Sequence, residues 1–348
     1  MNFDFDFYKG KRVLVTGDSG FKGSWLCHVL LQLGADVYGY SLTPPTSPNL
    51  FEKLKLFDRV QHVTGDIRNF SVLNNYIDSV NPEIIFHLAA QPLVRKSYQD
   101  PLYTYATNVM GTVNILECVR LNDSVKSFVN ITTDKVYKNN EWTWGYREND
   151  VLNGYDPYSN SKSCSELVTN SYLNSFFNNS SKAISTVRAG NVIGGGDFAE
   201  DRIIPDCVRH AIKHASIEIR NPQSVRPYQH VLEPIVAYML LAQKQYKDEG
   251  VSGSYNIGPD DVDCVSTGQL VDIFCNEWGN GVNWYQKSRS EDPHEANFLK
   301  LDCSKFKKVF DWSPRWHVTE AVHYTCLAYK SFLQEKDIFK EIDRQIEI

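Results

Sequence analysis

A tyrosine and a lysine four residues apart form the pair with the clearest chemical meaning in this sequence. A helix beginning near Pro157 would place Tyr158 and Lys162 on one face. An ammonium group beside a phenol favours the phenolate, so we expect the pKa of Tyr158 to fall from its usual value of about 10. The pair is therefore suited to removing a proton from a substrate hydroxyl, although the same spacing on an ordinary amphipathic helix is usually structural.

Three polar residues follow an apolar run that reads as a strand from Ser127 to Thr132. Polar residues in this position lie at the carboxyl edge of a parallel sheet, where open α/β folds bind their ligands. Thr133 can hydrogen-bond a reacting hydroxyl, while Asp134 and Lys135 can manage a second proton transfer. The alternative is a strand exit that carries solvated charges and has no part in chemistry.

A glycine-rich turn lies between the first predicted strand and the first predicted helix. Gly17, Gly20 and Gly23 have the spacing Gly-x-x-Gly-x-x-Gly between a strand over 12–16 and a helix over 24–33. The first glycine permits a tight turn, the second lets the backbone approach a pyrophosphate, and the third lets the helix pack closely. A turn that binds nothing is the alternative, but the flanking strand and helix favour a dinucleotide site.

The second predicted strand lacks a feature that such sites usually have. An acidic residue commonly ends this strand and holds the adenosine ribose, whereas the strand over 35–40 is followed by Ser41. Asp66 follows another short strand and could reach the adenine. It could equally cap the next helix at Asn69 or Phe70, so both interpretations stay open.

A regular alternation of strands and helices must position these motifs. Nearly continuous apolar strands suit a parallel sheet buried on both faces, with right-handed βαβ crossovers. Strands are predicted over 12–16, 35–40, 84–88 and 127–132, and helices over 24–33, 71–80, 104–121 and 158–177. The predicted fold class is α/β, a Rossmann-like doubly wound parallel sheet with a smaller C-terminal substrate-binding domain.

The pattern changes after Asn191, where a glycine-rich loop, short helices and isolated strands follow. We expect a dinucleotide-binding domain over 1–190 and a second, mainly substrate-binding domain over 191–348. A strand over 254–257 could return to the main sheet, so the first domain is expected to regain a segment near 231–262. The second domain would then be discontinuous in sequence.

Bulk properties exclude several classes of protein. The chain of 348 residues has a formal net charge of −6, which argues against a sequence-independent grip on nucleic acid. Its eight cysteines are scattered, without zinc-ligand spacing, and no metal site is expected. The sequence shows neither a signal peptide nor an apolar stretch of membrane-spanning length. We therefore expect a cytoplasmic enzyme with reduced thiols and a small-molecule ligand.

The order of the motifs resembles that of the extended short-chain dehydrogenase/reductase family. That order comprises the glycine loop, Phe86 to Gln91, Asn108 to Thr112, Thr133 to Lys135 and the Tyr158/Lys162 pair. Longer strings resemble the CDP-glucose 4,6-dehydratases, and they cover 20–26, 90–95, 144–149, 188–197, 225–234 and 293–296. The resemblance runs from about Gly10 to Trp316. The chain departs from it at Thr132 and Val136, where the family usually has Ser and Cys.

This resemblance implies an NAD-dependent dehydration of a nucleotide sugar. The expected reaction converts CDP-D-glucose to CDP-4-dehydro-6-deoxy-D-glucose and water, for deoxysugar and cell-surface polysaccharide synthesis such as that of O-antigen. Tyr158 would take the O4 proton while hydride leaves C4, water would leave from C5 and C6, and the hydride would return to C6. The resemblance assigns Asp134 as the acid for the C6 hydroxyl and Lys135 as the C5 base.

The resemblance and the motifs together yield a set of expected site residues. The expected catalytic residues are Thr133, Asp134, Lys135, Tyr158 and Lys162. The expected NAD-binding residues are Gly17, Gly20, Phe21, Gly23, Asp66, Ile67, Ala89, Ala90, Asn108, Tyr158 and Lys162. The expected substrate-binding residues are Gln91, Asn191, Arg202, Arg226 and His294. The two arginines are expected because a guanidinium group can donate two parallel hydrogen bonds to phosphate oxygens.

Alternatives to this function remain at the level of sequence. A sugar-nucleotide C4 epimerase would share the glycine loop and the Tyr158/Lys162 pair but would not need Asp134 and Lys135. A dehydratase for another nucleotide hexose would keep every motif, and a non-catalytic sensor could keep the fold alone. By the resemblance, the helices over 104–121 and 158–177 pair with their copies in a homodimer or larger assembly, although they could equally be core helices of a monomer.

Overall fold

The chain folds around one parallel sheet flanked by helices. The computed structural model describes residues 3–178, 180–287, 296–334 and 337–348. Its strands are β1 (Arg12–Thr16), β2 (Asp36–Ser41), β3 (Gln61–Thr64), β4 (Ile84–His87), β5 (Ser127–Ile131), β6 (Ala183–Ala189), β7 (Val192–Ile193), β8 (Ile217–Ile219), β9 (Val225–Pro227), β10 (Gln229–His230), β11 (Gly253–Ile257), β12 (Cys264–Ser266) and β13 (Trp284–Gln286).

The helices follow the strands in alternation through the first half of the chain. They are α1 (Phe21–Gln32), α2 (Leu50–Lys53), α3 (Phe70–Val80), α4 (Val94–Gln99), α5 (Pro101–Tyr105), α6 (Gly111–Leu121), α7 (Pro157–Tyr172), α8 (Ile203–Ile212), α9 (Leu232–Lys247), α10 (Thr267–Trp278), α11 (Ser304–Phe310), α12 (Val318–Leu333) and α13 (Ile338–Glu347). Short 3-10 turns cover Phe5–Tyr8, Leu56–Asp58, Asp134–Val136, Glu249–Val251 and Asp261–Asp263.

The main sheet has seven strands in the order β3-β2-β1-β4-β5-β6-β11, and all its pairings are parallel. The strand order reverses between β1 and β4, which is where doubly wound sheets bind ligands. Alternate β1 residues face opposite sides: Val13 and Val15 pack in the core shared with α1 and α9, and Leu14 packs in the core shared with α3 and α6. The predicted doubly wound fold is confirmed.

The later part of the chain contributes to both the sheet and a smaller layer. The predicted return to the sheet occurs at β11, which pairs with β6, while α9 packs against β5 and β6. Helices α8, α10 and α12 share a separate apolar cluster. The C-terminal α13 packs on the sheet core through Ile338 and Ile342, and its Asp343 bonds His28 at 2.7 Å.

Two of the predicted helices contain a wider turn that the sequence pattern does not reveal. A π-helical turn, Ala106–Met110, joins α5 to α6, and a second one, Leu173–Phe177, continues α7. Such turns insert an extra residue and redirect side chains, and they often occur at functional sites. The first turn carries Asn108, one of the predicted site residues.

Candidate active site

The glycine loop has the geometry of a phosphate-binding turn. Gly17 has φ +77°, and a Cβ atom there would lie 2.7 Å from the backbone nitrogen of Ala89. A Cβ atom on Gly23 would lie 2.1 Å from the carbonyl oxygen of Gly17. Helix α1 begins at Phe21, and its N-cap residue Gly20 has no side chain to occupy the free N–H groups of the first turn. These groups are therefore free to bind a pyrophosphate.

A buried carboxylate in the same loop was missed by the sequence interpretation. Oδ2 of Asp18 lies 2.7 Å from Nδ1 of His62 on β3. A Cβ atom on Gly39 of β2 would lie 1.9 Å from Asp18 Oδ2, so this strand requires glycine where the carboxylate passes. Ser41, which ends β2 in place of an acid, donates to Ser19 of the loop at 2.8 Å. The acidic group near this strand end comes from the loop itself.

Asp66 and Ile67 follow the carboxyl end of β3. The Asp66 carboxylate accepts hydrogen bonds from Nε of Arg68 at 2.9 Å and from Nη2 of Arg68 at 2.5 Å, and its side-chain bonding to Arg68 lowers its pKa. Asn69, rather than Asp66, caps α3 by accepting a hydrogen bond from the Val72 backbone. The capping interpretation of Asp66 is therefore wrong. Ile67 packs against Gly111.

The segment after β4 is tied by side-chain amides to α7, the helix that carries the predicted Tyr158/Lys162 pair. Asn108 accepts a hydrogen bond from the Gln91 backbone nitrogen at 2.8 Å and donates to Ser161 Oγ of α7 at 2.9 Å. The Gln91 side chain donates to Thr104 and accepts from the Leu93 backbone. Ala89 and Ala90 lie in this segment. Gln91 and Asn108 thus hold the segment after β4 in place through hydrogen bonds within the protein.

Helix α7 presents the predicted tyrosine and lysine toward the sheet. The helix begins at Pro157, as the sequence predicted, and the Asp156 side chain caps it. Nζ of Lys162 donates to the Ile131 carbonyl at 3.1 Å, and burial together with the charge of Lys22 lowers its pKa to about 8. Burial raises the pKa of Tyr158 to about 12 in the protein alone. The expected fall, which includes the effect of a bound nicotinamide cation, stays a prediction.

Thr133, Asp134 and Lys135 lie where β5 ends, beside Tyr158. The Thr133 hydroxyl donates to Asp134 Oδ1 at 3.0 Å, and a side-chain hydrogen bond between Thr133 and Tyr158 lowers the phenol pKa against the effect of burial. Burial raises the Asp134 pKa, which the charge of Lys135 partly opposes. Asp134 Oδ2 is buried and has no hydrogen-bond partner within the described ranges. Burial therefore favours the protonated form of this carboxyl group more than it would be favoured in an exposed aspartate.

A second lysine, Lys22, belongs to this site and was not singled out from the sequence. It lies in the first turn of α1, and its pKa falls to about 8 because of burial and the charge of Arg202. It also interacts with Asp134 and Asp197. The sequence interpretation treated this position only as part of the glycine loop. A charged residue between Phe21 and Gly23 is a signal that could have been used.

The predicted substrate-binding residues are partly gathered at this site. Arg202 forms an ion pair with Asp197 at 2.7 Å and interacts electrostatically with Tyr158. Arg226 is buried, donates to the Val225 carbonyl at 2.8 Å, and its charge acts on Asp134. Asn191 lies between β6 and β7, where its carbonyl accepts from Gln229. His294 falls outside the described residues.

A buried ion pair supports the site from behind. Arg188 of β6 donates to Glu166 of α7 at 2.9 Å, and the side chains are 3% and 1% exposed. Glu166 also accepts hydrogen bonds from Thr132 and Thr186. Arg188 further donates to Tyr137 at 2.8 Å. This network holds the end of β5, which leads into the predicted catalytic residues, and its Glu166 lies one helical turn after Lys162 on α7.

We expect Glu166→Gln to lower the free energy of unfolding by about 3 to 5 kcal/mol, because it leaves the Arg188 charge buried without its carboxylate. Urea denaturation would measure the change. Glu117→Gln is the matched control on a helical pair with Arg120 whose side chains are 28% and 39% exposed, where a loss below about 1 kcal/mol is expected. Equal stability of both variants would show that the buried pair contributes no more than a surface one.

Comparisons with known proteins agree with this fold and site. The UDP-glucose 4-epimerase of Thermotoga maritima superimposes with a TM-score of 0.81 at 20% identity, covering 92% of this chain and 99% of that one. The dTDP-glucose 4,6-dehydratase of Bacillus anthracis superimposes with a TM-score of 0.77 at 22% identity, covering 95% and 100%. The sheet, the glycine loop and the Tyr158/Lys162 pair define an extended short-chain dehydrogenase/reductase, as predicted.

This chain belongs to the GDP-mannose 4,6 dehydratase family, whose sequence pattern it matches over residues 14–325. It is 48% identical to the CDP-glucose 4,6-dehydratase of Salmonella typhimurium, over 99% of this chain and 97% of that relative. The CDP-paratose 2-epimerase of Salmonella typhi is 27% identical over 89% and 97%. The predicted resemblance is confirmed. Among the described residues, no helix has the length and apolar character needed to cross a membrane.

Proposed function

We propose that this protein dehydrates CDP-D-glucose to CDP-4-dehydro-6-deoxy-D-glucose with NAD as a recycled cofactor. The observation that carries the proposal is the buried Asp134 carboxyl beside Tyr158, with Oδ2 free of hydrogen-bond partners in the described parts of the chain. A C4 epimerase needs only the tyrosine and lysine, whereas loss of the C6 hydroxyl needs an acid. The 48% identity to a CDP-glucose 4,6-dehydratase supports the same reaction.

The residues of the glycine loop fit NAD. The free N–H groups at the start of α1 would bind its pyrophosphate, and Ala89 contacts the loop at Gly17. When bound, NAD takes up the hydride from C4 of the sugar and later returns it to C6. Lys162, held by the Ile131 carbonyl, would place its charge beside the cofactor ribose and Tyr158.

The chain's own residues then perform the proton transfers. Tyr158 receives the O4 proton, and Thr133 holds the reacting oxygen in place. The C4 ketone acidifies the C5 hydrogen, which Lys135 removes as Asp134 protonates the departing C6 hydroxyl. Arg202 and Arg226 lie near enough to Tyr158 and Asp134 to interact with them, so they are suited to the substrate phosphates. Asn191 and His294 are proposed to complete the nucleotide site.

The organisation of the molecule fits this assignment. We propose that residues 1–190 with the 231–262 segment bind NAD, while the rest of 191–348 mainly binds the sugar nucleotide. We propose a homodimer whose interface is formed by α7 and by the helical segment from α5 to α6. The apolar side chains of Leu102, Met110 and Leu167 are exposed on these helices. All eight cysteines are free, which suits the reducing cytoplasm. The product would serve deoxysugar synthesis for cell-surface polysaccharides such as O-antigen.

A substrate panel tests the proposal. The protein with NAD would be incubated with CDP-, TDP-, GDP- and UDP-glucose, and the mass of each product would be measured by mass spectrometry. We expect loss of water from CDP-glucose at the highest rate, and deuterium placed at C4 should appear at C6. Inversion at C4 without loss of water would instead identify an epimerase. Stoichiometric accumulation of NADH would identify a simple dehydrogenase.

A further inference from the structure

The predicted acid and base lie in a short span of chain that is attached to α7 at both ends. At the start of the span, the Thr132 hydroxyl donates to the Glu166 carboxylate. At its end, the Val136 carbonyl accepts a hydrogen bond from Ser163 Oγ at 2.7 Å. The span itself is residues 133–135. Since Ser163 and Glu166 both belong to α7, this helix holds the span at its two ends.

Sheet pairing ends where the span begins. The register of β5 with β6 stops at Ile131 and Val187. The backbone N–H of Thr132 makes one more hydrogen bond to β6, to the Val187 carbonyl at 2.8 Å. The chain then leaves the sheet in the 3-10 turn Asp134–Val136. The position of the span therefore depends on how Thr132 is held as well as on the strand ladder.

The hydrogen bond of Thr132 to Glu166 lies inside the protein and has a charged acceptor. Thr132, Glu166 and Thr186 are all buried. Oε1 of Glu166 accepts from Thr132. Oε2 accepts from Thr186 at 2.6 Å and from Arg188 at 2.9 Å. Hydrogen bonds to an ionised acceptor are about twice as strong as those between neutral groups, so the hydroxyl holds Thr132 firmly against α7.

The two halves of the proposed reaction use groups on either side of this contact. Tyr158 and Lys162 of α7 serve the oxidation, whereas Asp134 and Lys135 of the span serve the elimination. The sugar is oxidised and dehydrated in one site, so the groups on α7 and those on the span must be placed correctly relative to each other. A displacement of about 1 Å can lower the rate of a step by ~10²-fold.

We propose that the hydrogen bond between Thr132 and Glu166 positions the acid and base of the elimination relative to the oxidising groups on α7. This inference rests on the proposed function. Glu166 acts through Thr132, and Thr132 acts through the residues that follow it, so both are positioning residues. Lys162 has its own tie to β5, because its Nζ donates to the Ile131 carbonyl at 3.1 Å. Loss of the Thr132 hydroxyl should therefore disturb the elimination more than the oxidation.

Two substitutions remove different hydroxyls from the same carboxylate. Thr132→Val removes the hydroxyl at the start of the span, and Thr186→Val removes the hydroxyl on β6. Both keep the shape of the side chain and leave the Glu166 charge paired with Arg188. Both should lower the midpoint of urea unfolding, because each removes a buried hydrogen bond. Thr186→Val is therefore a matched control for a purely structural effect.

A single turnover of the protein with bound NAD and CDP-glucose separates the two steps. The rise of NADH absorbance follows the oxidation, and its decay follows the return of hydride to C6 after water has left. In Thr132→Val the decay should slow by ~10- to 10²-fold. It should slow by more than the rise does, so NADH accumulates. Thr186→Val should keep the ratio of the two rates found in the unaltered protein.

Thr132→Ser restores the hydroxyl and should restore the ratio of the two rates. An unchanged ratio in Thr132→Val would overturn the positioning role. The same change of ratio in Thr186→Val, or its persistence in Thr132→Ser, would overturn that role as well. Failure of the unaltered protein to release water from CDP-glucose would instead overturn the proposed function, and the positioning role with it.

Discussion

Tyr158→Phe is expected to lower kcat by ~10²- to 10⁴-fold, the range for removal of a positioned proton-transfer group. The ring is retained in its buried position at the start of α7, so folding should be unaffected. The phosphate loop is untouched, so NAD should bind as before. The measurement is steady-state turnover of CDP-glucose, with NAD binding followed by calorimetry.

Tyr155→Phe is the matched control, because this tyrosine lies three residues earlier and is 75% exposed. The Tyr155→Phe variant should turn over CDP-glucose at the rate of the unaltered protein. Near-normal turnover by Tyr158→Phe would mean that another group accepts the O4 proton. Loss of NAD binding in Tyr158→Phe would place the tyrosine in cofactor binding rather than in proton transfer.

Lys135→Met is expected to abolish the elimination while sparing the oxidation. The substitution keeps the aliphatic bulk of a half-buried side chain at the end of β5 but removes the amine that would take the C5 proton. Water release should fall by ~10²- to 10⁴-fold, and NADH absorbance should accumulate on the protein. In deuterated solvent, the C5 hydrogen should not exchange, as measured by mass or NMR of the recovered sugar.

The exposed Lys138, three residues along the chain, provides the control, and Lys138→Met should release water normally. Rapid C5 exchange in Lys135→Met would contradict the assignment of this lysine as the base. Its contribution would then be limited to its charge. Absence of any NADH signal would show that Lys135 is needed already for the oxidation, for example in placing the sugar.

Local sequence patterns were sufficient for the elements that carry the site. The apolar strand at 127–132 and the Pro157 helix start were predicted to within one residue, because buried parallel strands are almost wholly apolar and proline favours the first helical turn. The glycine loop was recognised because each glycine meets a steric need of the turn itself. These signals depend on near neighbours in the chain.

The residues missed from the sequence act through distant partners. Asp18 pairs with His62, and Glu166 pairs with Arg188, across separations of 44 and 22 residues. Nothing local marks such pairs, since each residue type is ordinary in its own segment. The π-helical turn at Asn108 was also missed, because a single wider turn of five residues is too short to give a periodic signal of its own.

The sequence by itself determined the order of strands and helices, the phosphate loop, and the presence of Tyr158, Lys162, Asp134 and Lys135 in dehydratase-like strings. Only the tertiary structure decided the direction in which the pKa values of these groups shift. Removal from water raises the pKa values of Tyr158 and Asp134 and lowers those of Lys162 and Lys22, and desolvation depends on every surrounding segment. The approach of Thr133 and Asp134 to Tyr158 likewise arises only when the turn after β5 packs against α7.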